Sequence, residues 1–371
     1  MLKIIADQNL HKLTSFLPGD TELGFYNPSD GIPDTNDFDA LLLRTVTKLN
    51  TDSFPDIPSS LKFIGTGSSG SDHIDIEYIE SKGLKFADAK GCNAQAVAEY
   101  IITSLLLWRE NRQVQLQDFT YGIIGAGKAG MAVADMFTKF GLNYKLFDPP
   151  REQNEKDFTS STLDEILDCD ILTFHVPLTH SGNFPTHHWL NKEKLSGRSF
   201  KLILNAARGG VIDEQSLLDA MNSGAIDDIV IDVWENEPDF NPEVMEQAFI
   251  ATPHIAGYSE QAKLNASMMV CKKLCDFFGL TCPPIEELYE TKSISLASLN
   301  YSFKDLLHRL HPIKEYDAVL RDLSYRSDKT KLFAKLRTDR PFRFEYGFLK
   351  LESDLLRSFE ELKYLGFKEI E

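Results

Sequence analysis

Three short segments carry the side chains best suited to chemistry: Leu204-Asn-Ala-Ala-Arg208-Gly-Gly, Asp232-Val-Trp-Glu-Asn-Glu237-Pro and Thr252-Pro-His254-Ile-Ala-Gly257-Tyr258. Each follows an apolar run of strand length. Together they offer a guanidinium, a carboxylate and an imidazole, the set needed to oxidise a carbon bearing a hydroxyl group beside a carboxylate. His254 suits the base that takes the hydroxyl proton, since imidazole titrates near working pH. Glu237 would accept from its other ring nitrogen, select the tautomer and favour the imidazolium. Arg208 presents a planar fork to a carboxylate and polarises the neighbouring oxygen. Taken singly, each has a plainer reading: a surface ion pair, the end of a turn, a core histidine. Their order after a fourth motif favours the chemical one.

That motif is Gly125-Ala-Gly127-Lys128-Ala129-Gly130, a G-x-G-x-x-G sequence between a strand-like run at 120–124 and a helical stretch at 128–140. Gly125 permits the tight turn, Gly127 lets a pyrophosphate approach the backbone, and Gly130 lets helix and strand pack closely. The helix start adds free N–H groups and the positive end of a dipole. Asp148 closes the next strand-like run, where a carboxylate accepts both ribose hydroxyls and repels a 2′-phosphate. The cofactor expected is therefore NAD, although Arg151 is close enough to meet a phosphate.

The elements that must hold these residues alternate. Runs at 3–6, 40–43, 62–65, 84–87, 120–124, 144–147, 171–174, 201–204, 229–233 and 249–251 read as buried strands. Helical stretches at 93–112, 128–140 and 214–223 lie among them, the pattern of doubly wound α/β domains with parallel sheets. Prolines near 279–284 mark a break. Beyond it, residues 281–371 hold 16 basic and 16 acidic side chains, so the whole net charge of −17 lies upstream. This neutral tail mixes helical signals at 304–310 and 351–365 with a strand-like RPFRFEYGF at 340–348. An acidic chain with a pI near 5.0 makes nucleic acid and membrane surfaces poor partners. No run approaches a membrane span or a signal-peptide core, and five cysteines without disulfide or zinc spacing suit the cytoplasm. His187-His188 and Cys271-x-x-x-Cys275 are too sparse for a metal site, and none is expected.

The motifs LILNAARGGVIDEQSLLDAMNSGAI, IDVWENEP and ATPHIAG resemble those of the D-2-hydroxyacid dehydrogenase family, over about residues 1–280. The resemblance implies two flavodoxin/Rossmann-like domains with a cleft between them, and a catalytic set of Arg208, Glu237 and His254. It implies a discontinuous substrate domain of 1–95 and 256–280 and an NAD domain of 96–255. NAD contacts are implied at Gly125, Gly127, Lys128, Ala129, Gly130, Asp148, His175, Val176, Ala206, Ala207, Asp232 and Gly257. Val176 stands where many relatives carry Thr.

Substrate identity must come from the N-terminal part. Arg44-Thr45-Val-Thr-Lys48 and Gly65-Thr66-Gly-Ser-Ser-Gly each follow a strand, pairing cations with a loop of N–H groups and hydroxyls, as a doubly anionic substrate would need. The plainer reading is solvated charges and a tight turn. RTVTKLN, FIGTGSSGSDHID, KGCNAQAVAEY, FDPPR and TPHIAGY resemble a branch of the family that acts on a small phosphorylated hydroxyacid. That likeness implies substrate contacts at Thr45, Thr66 and Tyr258, and a small C-terminal α+β module at 281–371 that joins two copies into a homodimer. A family member acting on 3-phosphoglycerate and a non-catalytic NAD-sensing protein on the same scaffold remain the alternatives.

Overall fold

The computed structural model describes residues 1–284, 288–294, 301–337 and 341–370. Contacts divide the chain into two units, Met1–Asn93 with Ser259–Glu290 and Ala94–Tyr258 with Thr291–Glu371.

In the first unit, β1 (Lys3–Asp7), β2 (Glu22–Tyr26), β3 (Ala40–Leu43), β4 (Phe63–Thr66) and β5 (Lys85–Ala87) form a parallel sheet in the order β2-β1-β3-β4-β5. β3 and β4 are buried along their whole length, as strands covered on both faces must be. The sequence pattern misses β2. It is an edge strand, half exposed, and Gly24 interrupts its short run of Leu23, Phe25 and Tyr26, which marks it less strongly than its buried neighbours. The helix Glu260–Phe278 returns to this sheet, packing Leu264, Val270 and Leu274 into one cluster with Ile4, Ala40, Leu42 and Phe63. Its approach is close: a Cβ on Gly65 would collide with Val270. Gly279, in the left-handed region, ends this helix and folds the chain back, bringing Cys282 to Cys275 as a disulfide. Spacing alone did not suggest that pair, because the reversal at Gly279 creates it. Burial pushes the free Cys271 thiol up to about 12.

The second unit holds β6 (Thr120–Ile124), β7 (Asn143–Phe147), β8 (Ile171–Phe174), β9 (Phe200–Asn205), β10 (Ile226–Ile231) and β11 (Ile250–Ala251). Its parallel sheet runs β11-β10-β9-β8-β6-β7. The chain winds one way from β6 to β7 and the other way from β8 onward, so the order reverses between β6 and β8. The helix Ala94–Arg112 is buried without interruption from Ala96 to Trp108. That enclosure explains why it is mostly apolar around its circumference, with Glu99 as the one buried charge in that stretch.

The C-terminal segment joins this second unit. It contributes the helices Phe303–Leu310, Ile313–Ser324 and Lys329–Leu336 and a small parallel sheet of β12 (Lys292–Ser293), β13 (Leu349–Leu351) and β14 (Lys368–Glu369). The strand expected at 340–348 is not formed over its described part. Residues 341–345 have no regular structure, Tyr346–Phe348 make a 3-10 turn, and Arg340 lies outside the described residues. The side chains there are committed to a buried ion pair instead. Arg343 binds the fully buried Glu99 carboxylate, which also accepts the Tyr346 N–H at 2.9 Å. The single helix expected at 351–365 is two, Ser353–Ser358 and Glu361–Leu365, separated at Phe359 and Glu360.

Removing one partner of such a pair strands the other charge in a low dielectric. Arg343→Ala should lower unfolding free energy by roughly 3–5 kcal/mol in urea denaturation, and Glu99→Leu/Arg343→Met should recover most of it. A loss well below that range for Arg343→Ala would mean that water reaches Glu99.

Candidate active site

The glycine motif stands at the reversal point of the second sheet, where parallel α/β sheets bind ligands. β6 ends at Ile124, and Gly125 turns the chain with φ +93°. A Cβ on Gly125 would lie 2.8 Å from the His175 carbonyl carbon and the Val176 nitrogen, so this turn is closed against the loop after β8. A Cβ on Gly130 would collide with the Gly125 carbonyl, whereas Gly127, at the cap of the helix Lys128–Lys139, faces open space. Lys128 is exposed and Ala129 half-buried on its first turn.

Asp148 follows β7 and is half-buried. Its two oxygens accept the Ala126 N–H at 2.8 Å and the Arg151 N–H at 3.0 Å. The Arg151 side chain donates to the Ala126 carbonyl at 2.7 Å and to Glu155, and so is turned into the loop rather than held free for a phosphate. His175 Nε2 lies 2.9 Å from Thr173 Oγ1, and its Nδ1 is buried with no hydrogen-bond partner among the described residues. Desolvation pushes this imidazole down to about 3, so it is neutral at physiological pH. The open face of Gly127, the carboxylate of Asp148 and the unmatched His175 nitrogen fit a dinucleotide, which brings phosphates, a ribose diol and amide groups.

The imidazole and its carboxylate are built on the next two strand ends. Asp232 follows β10, and the turn after β11 folds onto it. One of its oxygens accepts the Ile255 N–H at 2.7 Å and the Thr252 hydroxyl at 2.6 Å; the other accepts the Ala256 N–H at 2.8 Å. The Asp232 carbonyl takes the His254 N–H at 2.7 Å. These bonds hold His254 at φ 59°, a left-handed conformation that a non-glycine residue adopts only when its surroundings impose it. Trp234 braces the same turn by donating its indole N–H to the Thr252 carbonyl at 2.9 Å.

Glu237 completes the pair. Its Oε2 lies 2.9 Å from His254 Nδ1, and its Oε1 accepts the Trp234 N–H at 2.9 Å. Burial alone would raise this carboxyl, but His254, the Trp234 N–H and Arg337 outweigh it and hold the pKa below the ordinary glutamate value. An ionised Glu237 can only accept, so Nδ1 of His254 carries a proton and Nε2 is left as the basic nitrogen. Arg208 lies on the turn after β9, half-buried, with Nη1 donating to the Ala207 carbonyl at 2.7 Å. Asn205 shapes that turn, accepting the Ala207 N–H at 3.1 Å and donating to the Arg208 carbonyl at 3.1 Å. Ala206 and Gly257 are half-buried on the turns after β9 and β11.

In the first unit, Arg44, Thr45 and Lys48 follow β3. Thr45 and Lys48 are exposed, and Arg44 donates to the Asn9 carbonyl at 3.2 Å. Thr66 closes β4 fully buried, its hydroxyl 3.0 Å from His73 Nε2. Tyr258, in the second unit, packs edge-on against Phe342 with ring centres 6.2 Å apart.

Residues 103–256 match the family described as D-isomer specific 2-hydroxyacid dehydrogenase, NAD binding domain. The chain is also 38% identical over 348 residues to an erythronate-4-phosphate dehydrogenase of Bacteroides thetaiotaomicron, covering 93% of this chain and 97% of the relative. The chain belongs to the erythronate-4-phosphate dehydrogenase family. A relative of the same name from Proteus mirabilis is 35% identical over 381 residues, 99% of each chain. Among solved structures, a D-lactate dehydrogenase from Aquifex aeolicus, complexed with NAD and lactic acid, superposes with a TM-score of 0.60 at 25% identity, over 75% of this chain and 95% of that one. The protein is an NAD-dependent D-2-hydroxyacid dehydrogenase, and NAD is its cofactor.

Within this dehydrogenase, three supporting residues escaped the reading of the sequence. Thr252 links Asp232 to the Tyr100 hydroxyl, which lies 2.6 Å from it. Glu214, raised to about 7 by burial, accepts the Glu235 N–H at 2.8 Å and so holds the loop that carries Glu237. Nothing in local sequence marks any of the three, since their partners lie on other strands. Asp232, for which the family resemblance implies a cofactor contact, also anchors the His254 turn through both carboxylate oxygens.

The two glycines should separate cofactor binding from folding. Gly127→Ala should weaken NADH binding about tenfold or more while leaving thermal stability nearly unchanged, because the new methyl occupies only the open face. Gly130→Ala should lower both, because the Gly125 carbonyl must move. Fluorescence titration with NADH and thermal melting of both variants check this, and equal NADH affinity for Gly127→Ala and wild type would overturn it.

Proposed function

We propose that the chain oxidises 4-phospho-D-erythronate with NAD to 2-oxo-3-hydroxy-4-phosphobutanoate, a step toward pyridoxal 5′-phosphate. The observation that carries this reading is the Glu237–His254 pair, 2.9 Å apart, in a chain similar over nearly its whole length to dehydrogenases named for that substrate.

Arg208 orients the C1 carboxylate and polarises the C2 oxygen. His254 Nε2 removes the C2 hydroxyl proton, and Glu237 stabilises the imidazolium that forms. The bound NAD supplies the acceptor for the C2 hydride. The glycine loop 125–130, Asp148, His175, Val176, Ala206, Ala207 and Gly257 would hold the cofactor. Asp232 serves it by holding the turn that bears His254. The Val176 side chain lacks a hydroxyl, so it lines the loop by packing against Gly125. Thr45, Arg44, Lys48 and the loop that Thr66 begins are the first-unit groups suited to the phosphate end, and Tyr258 is a substrate contact of the second unit. Local cations are required there, because the chain as a whole is acidic and repels a substrate with two anionic groups.

Two further parts of the reading concern the surroundings of the enzyme. The neutral segment 281–371 pairs with a second copy of the chain, supported by its balanced charges and by the exposed aromatics Tyr325 and Tyr364. The cytoplasm is the compartment proposed. Among the described residues no helix is long and apolar enough to cross a membrane.

The test of substrate is NADH formation with 4-phospho-D-erythronate and 3-phosphoglycerate at equal concentrations. A 2-oxoacid acceptor is added in parallel, and loss of the phosphoerythronate is followed directly. Preference for phosphoerythronate is expected; turnover of phosphoglycerate alone would overturn the substrate while leaving the chemistry. A second test concerns the pair. Glu237→Gln should lower kcat by about 100-fold or more and move the acidic limb of the pH–rate profile to lower pH. The sign follows from charge: without the carboxylate the imidazolium is less favoured, His254 loses its proton at lower pH, and the base form persists further into acid. An unmoved limb would remove Glu237 from that role.

A further inference from the structure

His187 and His188 alone were too sparse for a metal site, but the fold adds a carboxylate from another loop. Donor atoms of His187, His188 and Glu235 lie within 4.8 Å of one another. His188 Nε2 and Glu235 Oε1 are already 2.8 Å apart. The His187 and His188 rings stack at 3.9 Å, and the His180 ring lies 4.5 Å beyond His187.

The backbone under these donors is held in place. His187 N–H donates to the Thr179 carbonyl at 3.0 Å, His188 N–H to the Gly210 carbonyl at 2.7 Å, and Glu235 N–H to Glu214 at 2.8 Å. Three imidazoles side by side and one carboxylate form a donor set that matches late divalent transition metals such as Zn(II), Ni(II) and Cu(II) better than Mg(II) or Ca(II). Metal–ligand bonds of about 2.0–2.2 Å place neighbouring tetrahedral donors roughly 3.3 Å apart. The His188–Glu235 pair is already near that spacing, and a donor of the exposed His187 ring lies within 4.8 Å of both.

We propose that His187, His188 and Glu235 bind a divalent transition-metal ion. The ion bridges the 179–188 loop to the 234–237 loop, two residues before Glu237. It stands apart from hydride transfer, which needs no metal.

The test is calorimetric titration of Zn(II) alone into the untagged, chelator-treated full-length chain, repeated with Ni(II) and Cu(II). One saturable equivalent is expected. His187→Ala and Glu235→Gln should each weaken it about tenfold or more, with thermal melting of the metal-free variants as the check on folding. His187 is exposed, so its replacement leaves the fold intact and keeps the test decisive. The proposal is overturned if none of the three ions binds saturably, or if His187→Ala binds with wild-type affinity, which would put the ion elsewhere.

Discussion

The carboxylate of Asp232 is the constraint on which the reactive end of this molecule depends. Two backbone N–H groups and a hydroxyl converge on it from the turn that follows β11, and its own carbonyl takes the His254 N–H. Several bonds to one buried charged group define a turn more tightly than backbone preference does, which is how His254 is kept in a left-handed conformation. Remove that anchor and the imidazole loses its direction before it loses any contact of its own. Glu237 then meets Nδ1 of a ring whose position is already determined, so the turn and the ring contact come from separate carboxylates.

The parallel sheet explains why such distant residues share one edge. In a doubly wound sheet every strand ends on the same side, and the loops that follow the strands are brought together however far apart they lie in sequence. Gly125, His175, Arg208, Asp232 and His254 all follow strand ends in the second unit. The glycines permit what the loops require: Gly125 turns against the loop after β8, and Gly130 lets the next helix rest on the Gly125 carbonyl. The first unit repeats the device on a smaller sheet, with Arg44, Thr45, Lys48 and Thr66 after β3 and at the end of β4.

Electrostatics divides into a global and a local problem. A chain with net charge −17 discourages anions in general, so any anionic ligand depends on local cations. Burial handles the remaining titratable groups. His175 is kept neutral where it borders the glycine loop, and Glu99 is admitted to the core only with Arg343 beside it.

Chemical type and order along the chain were legible without coordinates. The glycine spacing, Asp148 at the end of the following strand, the three reactive segments and most strands followed from residue type and short-range pattern, because those features are local. What local pattern lacked, tertiary contact supplied. β2 is a half-exposed edge strand whose short apolar run is broken by Gly24, the Cys275–Cys282 bond depends on a reversal at Gly279, and 341–345 gives up strand geometry around the Glu99–Arg343 pair. The Glu237–His254 distance, the commitment of Asp232 to its turn and the meeting of Glu235 with His187 and His188 were likewise decided only by folding. The reason is geometric: one-dimensional spacing specifies which groups are available, but hydrogen bonds and burial between distant strand ends determine which of them meet.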